Sequence, residues 1–533
     1  MKSKLGPTIL LILDGWGLSP SWGGNALAMN NPKRIDALWR NYPHAVLQAL
    51  SAISSGEVVG DSHLGHTMIG SGRIVESNLG RINKTITSRQ FYKNEVLLGA
   101  INWAKRNKSN LHLLGLISDG GVHSHVDHLL ALLNLCHRED FNRVFIDAIT
   151  DGTDSGPTNA LRFVEKIQNK MSELGIGAFS SISGRHWAMD RDENWNRIKK
   201  YYQVLCKGSV KPVETIVEAI TSNYHLGQND EFIEPNKVLK KDGAQNVIKN
   251  GDAVIFFNFR EDRSRELTRM FLDQNFGNMF WRPQKFNDLY FATFVSYARE
   301  LPAKVAFPEK IHTNTLSEVL SKANFRQLKV AESQKQAHIT SFFNGGEENP
   351  WPGEERKIIS SPNVASYDQR PEMSAPAVAN AVINGLKSNK YDFIVANFAN
   401  VDMVAHTGNI IATGQAIQVV DQQVGRIVEA NVRAGGTTII TADHGNAEQM
   451  IELKKSLSSE ETSHTMNPVP FIVVSPKNRK NLVQSALINR SNSLAKIMTT
   501  KSTLADIAPT ILEILDLPKP KEMTGHSLLK ETE

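Results

Sequence analysis

Thr8-Ile-Leu-Leu-Ile-Leu-Asp-Gly-Trp-Gly17 is the stretch from which the fold is read. Residues Thr8–Leu13 carry no charge and no polar–apolar alternation, and the run stops on an acidic residue followed by glycine. An unbroken β-rich apolar run fits a strand buried on both faces, as in a parallel sheet between two helical layers. Two lysines precede it, so a secretion signal is the alternative. The run is short, however, and ends in Asp14-Gly15-Trp16-Gly17 rather than in small residues suited to cleavage. Similar runs recur at Leu111–Ile117, Val144–Ile149, Ala253–Phe257, Phe291–Val295, Phe393–Ala396, Thr437–Thr441 and Phe471–Val474. Amphipathic stretches such as Ala377–Leu386 and Gly414–Ala430 lie between them. Strands alternating with helices predict an α/β protein, its sheet mainly parallel and covered on both faces.

The chain has 533 residues, more than one compact core holds, so two domains or one domain with an insertion are expected. Sixty basic side chains against 55 acidic ones leave a net charge of only +5. That balance gives no ground for nucleic acid or a membrane surface as partner and mildly favours small anions. Cys136 and Cys206 are the only cysteines, too few and too far apart for a disulfide framework or a zinc knuckle. No run reaches the length of a membrane span. A cytoplasmic protein is expected, and a monomer. The basic, polar segment Lys477–Lys501 lacks interleaved aromatics and reads as a solvated surface.

The residues just past each run carry the chemistry. Asp14 comes after the first run, Asp119-Gly-Gly-Val-His123-Ser-His125 after the second, Asp151-Gly-Thr-Asp154 after the third and Asn258-Phe-Arg260 after the fourth. Later runs lead into Asn400-Val-Asp402 and Asp443-His444-Gly445. Ligands of open α/β sheets sit outside the carboxyl ends of strands, so these side chains are placed for chemistry. One Asp-Gly would be an ordinary turn; histidines and arginines gathered beside several are not explained by turns. Asp402 and His406, four residues apart, fall on one face of a helical turn. With Asp14, Asp443, His444 and His464 they offer three carboxylates and three imidazoles. Mixed oxygen and nitrogen ligation suits Mn²⁺ or Zn²⁺, whereas Mg²⁺ alone prefers oxygens. Two such ions about 4 Å apart can clamp the attacking and leaving oxygens of a phosphoryl group.

A nucleophile is offered by Gly60-Asp-Ser62-His-Leu-Gly-His66-Thr-Met-Ile-Gly-Ser-Gly-Arg73. A serine hydroxyl needs activation, here by direct metal coordination, and the glycines let backbone approach a phosphate. The P-loop pattern GxxxxGK[ST] is absent from the chain. The bland alternative is a turn in which Ser62 caps a helix.

Nine strings now stand in order along almost the whole chain. They are Leu13-Asp-Gly-Trp-Gly17, Ser62-x-x-Gly-His66 with Ile-Gly-Ser-Gly-Arg73, Gly120-Gly-Val-His-Ser-His125, Met189-Asp-Arg-Asp192 and Asn258-Phe-Arg-Glu-Asp-Arg263. Then come Tyr367-x-x-x-Pro-Glu-Met373, Asn400-Val-Asp-Met-Val-x-His406-Thr-Gly408, Ala442-Asp-His-Gly-Asn446 and His464-Thr-x-Asn-Pro-Val-Pro470. In these the chain resembles the 2,3-bisphosphoglycerate-independent phosphoglycerate mutases of the alkaline phosphatase superfamily. The resemblance implies a phosphatase-like domain of residues 1–75 and 309–533, with a phosphotransferase domain, 76–308, inserted. It implies one metal held by Asp402, His406 and His464, and another by Asp14, Ser62, Asp443 and His444. The ions would be Mn²⁺ by preference, with Mg²⁺, Co²⁺ or Zn²⁺ as alternatives. The phosphoglycerate pocket would use His123, Thr153, Asp154, Arg185, Arg191, Arg260, Arg263 and Lys335. A substrate with a phosphate and a carboxylate suits such a set, the arginines having bidentate reach.

The activity implied is exchange of 3-phosphoglycerate and 2-phosphoglycerate through a phosphoserine on Ser62, with no bisphosphoglycerate. Lys335 would stabilise phosphoryl charge, and Asp154 would act as base for the glycerate hydroxyl. Another phosphatase or phosphomutase of the superfamily, or a catalytically dead metabolite-binding relative, are the rival readings. The chain departs from the pattern in Asp61-Ser62-His63-Leu64 for the commoner Asn-Ser-Glu-Val, in Arg185-His186-Trp187 for Arg-Tyr-Tyr, and in Thr153 for the usual arginine. A hydroxyl offers one hydrogen bond of ~1 kcal/mol where a guanidinium offers charge-assisted ones of about 1.5–3 kcal/mol. Thr153→Arg is therefore expected to change KM for 3-phosphoglycerate: downward if the guanidinium reaches the substrate, upward if it meets a compensating group such as His186. The activating Mn²⁺ concentration should stay where it was. A shift in metal activation at constant KM would contradict the placement of residues 151–154 at the substrate.

Overall fold

The structure is a computed structural model that describes residues 6–20, 23–49, 60–273, 284–454, 457–460, 464–476 and 501–530. The basic stretch 477–501 lies, except for its last residue, outside the described residues. The chain forms two compact units, one from the described residues before Ser77 and after Glu309, the other from Ser77–Glu309. Among the described residues no helix is long and apolar enough to cross a membrane.

Strands are numbered along the chain. The first unit contains β1 (Thr8–Leu13), β2 (His44–Leu47), β10 (Gln327–Glu332), β11 (Glu354–Ile359), β12 (Phe393–Phe398), β13 (Thr437–Thr441) and β16 (Val469–Val474), with a small hairpin of β14 (Ile451–Lys454) and β15 (Leu457–Glu460). Its main sheet runs β11-β10-β12-β1-β13-β16-β2. The first five are parallel; at one edge β16 pairs antiparallel with β13, and β2 pairs antiparallel with β16. Every residue of β1 is buried, which requires cover on both faces. The long helix Ile410–Arg433 packs on β1 and β13, and Ala375–Lys387 on β10, β11 and β12. Ile417, Val420, Val424 and Ile427 of the longer helix recur at three and four residues and meet Ile9–Leu13, Ile394 and Ile439 in one core.

The second unit contains β3 (Leu111–Ile117), β4 (Val144–Thr150), β5 (Ala178–Gly184), β6 (Asn236–Lys237), β7 (Ala253–Phe256), β8 (Tyr290–Thr293) and β9 (Lys304–Val305), in the order β6-β5-β4-β3-β7-β8-β9. All pairs are parallel except β5 with β6. The apolar runs of the sequence thus divide between two sheets, four in each. The fold is α/β and mainly parallel, as expected. The run at Phe291–Val295 is shifted: the strand begins at Tyr290 and ends at Thr293.

A polar network lies inside the second unit. The Asp147 carboxylate accepts from Ser181 Oγ at 2.6 Å and pairs with His112 Nδ1 at 2.7 Å. Lys237 Nζ donates to Ser180 Oγ at 2.9 Å and stands 3.5 Å from Asp147. All three charged or ionisable side chains are fully buried. Burial alone would raise the Asp147 pKa, but Lys237 and His112 outweigh it and hold the carboxyl well below its usual range. Removing one partner of such a pair leaves an uncompensated buried charge, at a cost of roughly 3–5 kcal/mol. Asp147→Ala should therefore lower unfolding stability by about that much, measured by denaturant titration. The wild-type contribution should be complete above pH 3.8, the ordinary carboxyl value, and lost as pH falls below it. A loss under ~1 kcal/mol would show that the network is dispensable.

Candidate metal centre and anion pocket

Strand order brings the first cluster together. β10, β12, β1 and β13 are neighbours and parallel, so their carboxyl ends form one edge. Asp14 directly follows β1, and Lys335 stands three residues past β10. Asp402 sits in the short helix Asn400–Ala405 after β12, while Asp443 and His444 follow β13. His464 precedes β16, which runs antiparallel to β13, and so it returns to the same edge. Gly15 adopts φ +74°, and a Cβ there would stand 2.8 Å from the Asp402 Cα, so the turn after Asp14 needs glycine.

Ser62 is the first residue of the helix Ser62–Ser71. It does not cap that helix. Asp61 does, its carboxylate accepting from the His63 and Leu64 backbone N–H groups. Asp and Asn cap equally well, so the departure from Asn at 61 leaves the cap intact and the Ser62 hydroxyl available. The Ser62 Oγ lies 2.6 Å from His444 Nε2 and 3.3 Å from Lys335 Nζ. His444 Nδ1 faces the Gly445 carbonyl at 3.2 Å and His464 Nδ1 the Gly60 carbonyl at 2.7 Å. A carbonyl can only accept, so each Nδ1 carries the proton and each Nε2 presents its lone pair to the site.

These donor atoms converge. Asp402 Oδ1 is 3.3 Å from His406 Nε2 and 3.2 Å from His464 Nε2, and the two Nε2 atoms are 2.9 Å apart. His444 Nε2 is 3.6 Å from Asp14 Oδ1 and 3.3 Å from Asp443 Oδ2. Donors about 2.0–2.2 Å from a shared ion stand roughly 3–3.5 Å from one another. Two sets have ligand atoms all within 4.8 Å of one another, Asp402 with His444 and His464, and Asp14 with His66 and Asp443, a grouping that differs from the one the resemblance implies. Charge agrees. Asp14, Asp402 and Asp443 are buried, and Lys335 Nζ, 2.8 Å from both Asp14 and Asp402, is the ammonium among them. Burial and the neighbouring Asp443 push the Asp14 pKa up to about 7. Asp443 Oδ2 has no hydrogen-bond partner. The donor set fits divalent metal ions. Burial pushes the His444 imidazole down to about 4, so it is neutral, as a ligand must be. Lys335 is raised despite burial, held as the ammonium by Asp14 and Asp402.

The second unit repeats the design with cations. β5, β4, β3 and β7 are neighbours, and after their carboxyl ends come Arg185, Asp151–Asp154, His123, and Arg260 with Arg263. Arg185 Nη1 donates to Asp151 Oδ1 and Asp154 Oδ2, both at 2.6 Å. Burial raises the Asp154 pKa against the pull of Arg185. Burial also drives His123 well below 6.5, with Arg185, Arg260 and Arg263 adding to the effect. Arg260 Nε lies 3.3 Å and His123 Nδ1 3.6 Å from Asp262 Oδ1, and Arg191 lies 3.6 Å from its Oδ2. Arg263 donates to the Met189 carbonyl at 3.2 Å. Thr153 is exposed, its backbone N–H donating to Asp151 Oδ1. His186 packs on Trp187 and Phe232.

Sequence reasoning left several residues without a role. His66 is buried, 3.2 Å from Asp443 Oδ2, with Nδ1 on the Ser62 carbonyl. Asn397 donates to Asp14 Oδ2 at 2.8 Å and contacts His66 Nε2. His66 stands four residues after Ser62, on the same helix face, a signal available in the sequence. Asn397 directly follows the apolar run Phe393–Ala396 and lies inside the strand, which continues to Phe398; its place just past the run was the available signal. Asp262 organises the arginines from within Asn258–Arg263, where the arginines drew attention instead.

The comparisons with known proteins agree with one another. Residues 82–299 match the family described as BPG-independent PGAM N-terminus, and residues 275–516 the type I phosphodiesterase / nucleotide pyrophosphatase family. Proteins named 2,3-bisphosphoglycerate-independent phosphoglycerate mutase are similar throughout. That of Moorella thermoacetica is 43% identical over 530 residues, 98% of each chain. That of Clostridium kluyveri is 45% identical over 528 residues, 98% of this chain and 99% of its own. A crystal structure of Leishmania mexicana phosphoglycerate mutase, obtained at low cobalt concentration, superposes with a TM-score of 0.74 at 26% identity, covering 98% of both chains. Identity above 40% along nearly the whole of both chains shows that the chain belongs to the 2,3-bisphosphoglycerate-independent phosphoglycerate mutases, isomerases of the alkaline phosphatase superfamily that transfer a phosphoryl group within the substrate.

Proposed function

We propose that this chain, in interconverting 3-phosphoglycerate and 2-phosphoglycerate, lodges the phosphoryl group on Ser62. The observation that carries the reading is the Ser62 hydroxyl at a helix N-terminus, buried, 2.6 Å from His444 Nε2 and 3.3 Å from Lys335 Nζ. Asp14, Ser62, Asp443 and His444 would hold one divalent ion and Asp402, His406 and His464 the other, with Mn²⁺ preferred for mixed oxygen and nitrogen donors. Bound there, the ions would act as Lewis acids on the serine oxygen and the phosphoryl oxygens.

The chain's own groups do the rest. The Ser62 hydroxyl gives up its proton as its Oγ bonds to phosphorus, the bond from phosphorus to the glycerate 3-oxygen breaks, and that oxygen takes up a proton. Lys335 and the helix N-terminus offer positive charge to the phosphoryl oxygens. In the second half the bond from phosphorus to the Ser62 Oγ breaks and the serine oxygen regains a proton, while the glycerate 2-oxygen bonds to phosphorus and gives up its proton. Asp154 is the proposed acceptor of that proton, its raised pKa making it a better base than an ordinary aspartate. His123, Thr153, Arg185, Arg191, Arg260 and Arg263 are the proposed contacts for the substrate's anionic groups. Residues 1–75 and 309–533 would form the phosphatase-like part and 76–308 the substrate-binding part, in a cytoplasmic monomer.

Ser62→Ala should abolish turnover in an enolase-coupled assay while the unfolding transition remains cooperative. Rapid quenching of the wild type with 3-phosphoglycerate should place phosphate on Ser62. Chelation should stop the wild type, Mn²⁺ should restore it, and added bisphosphoglycerate should leave the rate unchanged. Retained turnover in Ser62→Ala, or phosphate on another residue, would show that Ser62 is not the carrier.

A further inference from the structure

Glu448 lies four residues past His444 and is fully buried. Its carboxylate accepts from four donors on three separate loops. Oε2 takes the Gly17 N–H at 3.1 Å and the Asn446 N–H at 2.8 Å. Oε1 takes the Asn467 side-chain amide at 2.9 Å and the Thr465 hydroxyl. Those loops are the turn after β1 that carries Asp14, the turn after β13 that carries Asp443 and His444, and the segment before β16 that carries His464.

Around the carboxylate the same loops are stitched by backbone bonds. Asn446 N donates to Gly15 O at 3.1 Å, Thr465 N to Gly445 O at 2.8 Å and Leu18 N to Pro468 O at 2.7 Å. Room for the carboxylate depends on two glycines. A Cβ on Gly17 would stand 2.3 Å from Glu448 Cδ, and one on Gly445 would stand 2.2 Å from Oε1. Each lies close to the metal-centre residues in sequence, and each gives up a side chain where Glu448 passes.

We propose that Glu448 is a positioning residue for the metal centre, its carboxylate fixing the relative placement of the loops that carry Asp14, His444 and His464. The inference rests on the metal reading above. Charge-assisted hydrogen bonds from neutral donors are stronger than neutral ones, and outer partners of this kind tune affinity through the ligands they orient. A carboxamide has one accepting oxygen and one donating nitrogen. In Glu448→Gln two of the four donors therefore face another donor, with side-chain shape nearly unchanged.

The test uses the full chain, stripped by chelation and titrated with Mn²⁺ by calorimetry and with Co²⁺ by visible absorption. Glu448→Gln should bind both ions about 10–100-fold more weakly and give an altered Co²⁺ spectrum. Thr465→Val, which removes one donor and keeps the backbone bridge, should shift affinity in the same direction by less. It also serves if Glu448→Gln does not fold. Thermal unfolding of the stripped proteins is monitored in parallel. A lowered melting temperature with ion affinity and Co²⁺ spectrum unchanged would reduce Glu448 to a structural group and overturn the inference. A wild type that binds neither ion overturns the metal centre itself, and the inference with it.

Discussion

Lys335 Nζ stands 2.8 Å from the carboxylates of both Asp14 and Asp402, and the sheet edge of the first unit is organised around that meeting. Three buried carboxylates cannot share one ammonium comfortably. Each buried ion costs several kcal/mol of desolvation after relaxation, and burial raises the Asp14 pKa while Lys335 and the histidines hold Asp402 and Asp443 low. The surroundings answer with donors on two of them, Asn397 on Asp14 and the Asn446 amide on Asp402; the His66 ring lies 3.2 Å from Asp443. Divalent cations complete the balance. A site that concentrates negative charge in this way suits divalent cations, and in the proposed mechanism the serine among the same groups is the oxygen they would activate.

The second unit has the complementary problem. Arginines gathered at one sheet edge repel one another, and acids lie between them. Asp151 and Asp154 engage Arg185, while Asp262 lies between Arg191, Arg260 and His123. A phosphatase passes its phosphoryl group to water. A mutase must present an alcohol of its own substrate instead, and holding the substrate's carboxylate and hydroxyl is the role proposed for this cluster.

The fold was legible where strands were apolar throughout. Thr8–Leu13, Leu111–Ile117 and Thr437–Thr441 have the bounds read from the sequence. β10 and β5 were missed because their buried side chains are polar. Gln327-Leu-Lys-Val-Ala-Glu332 buries Lys329 against Glu354 and Asn344, and Ala178–Gly184 buries Ser180 and Ser181 against the Lys237–Asp147 pair. Only tertiary partners make such residues interior. The division of the runs between two sheets was equally hidden, since strand order is a long-range property. At the site, ligand-type residues at strand ends could be read directly. The groups that orient them were missed: Asn397 stands just past an apolar run but inside its strand, Asp262 acts through geometry that no spacing reveals, and Glu448 lies past the end of the string that drew attention to His444.

Diffraction from crystals grown with Mn²⁺, collected at the manganese absorption edge, tests the metal centre most directly. Two anomalous peaks are expected in the first unit, one among Asp14, Ser62, Asp443 and His444 and the other among Asp402, His406 and His464. The Lys335 ammonium should lie beside them, its charge facing the phosphoryl site. Density at neither position in crystals of active enzyme, with Lys335 still bridging Asp14 and Asp402, would contradict the metal centre and the role assigned to Ser62 within it.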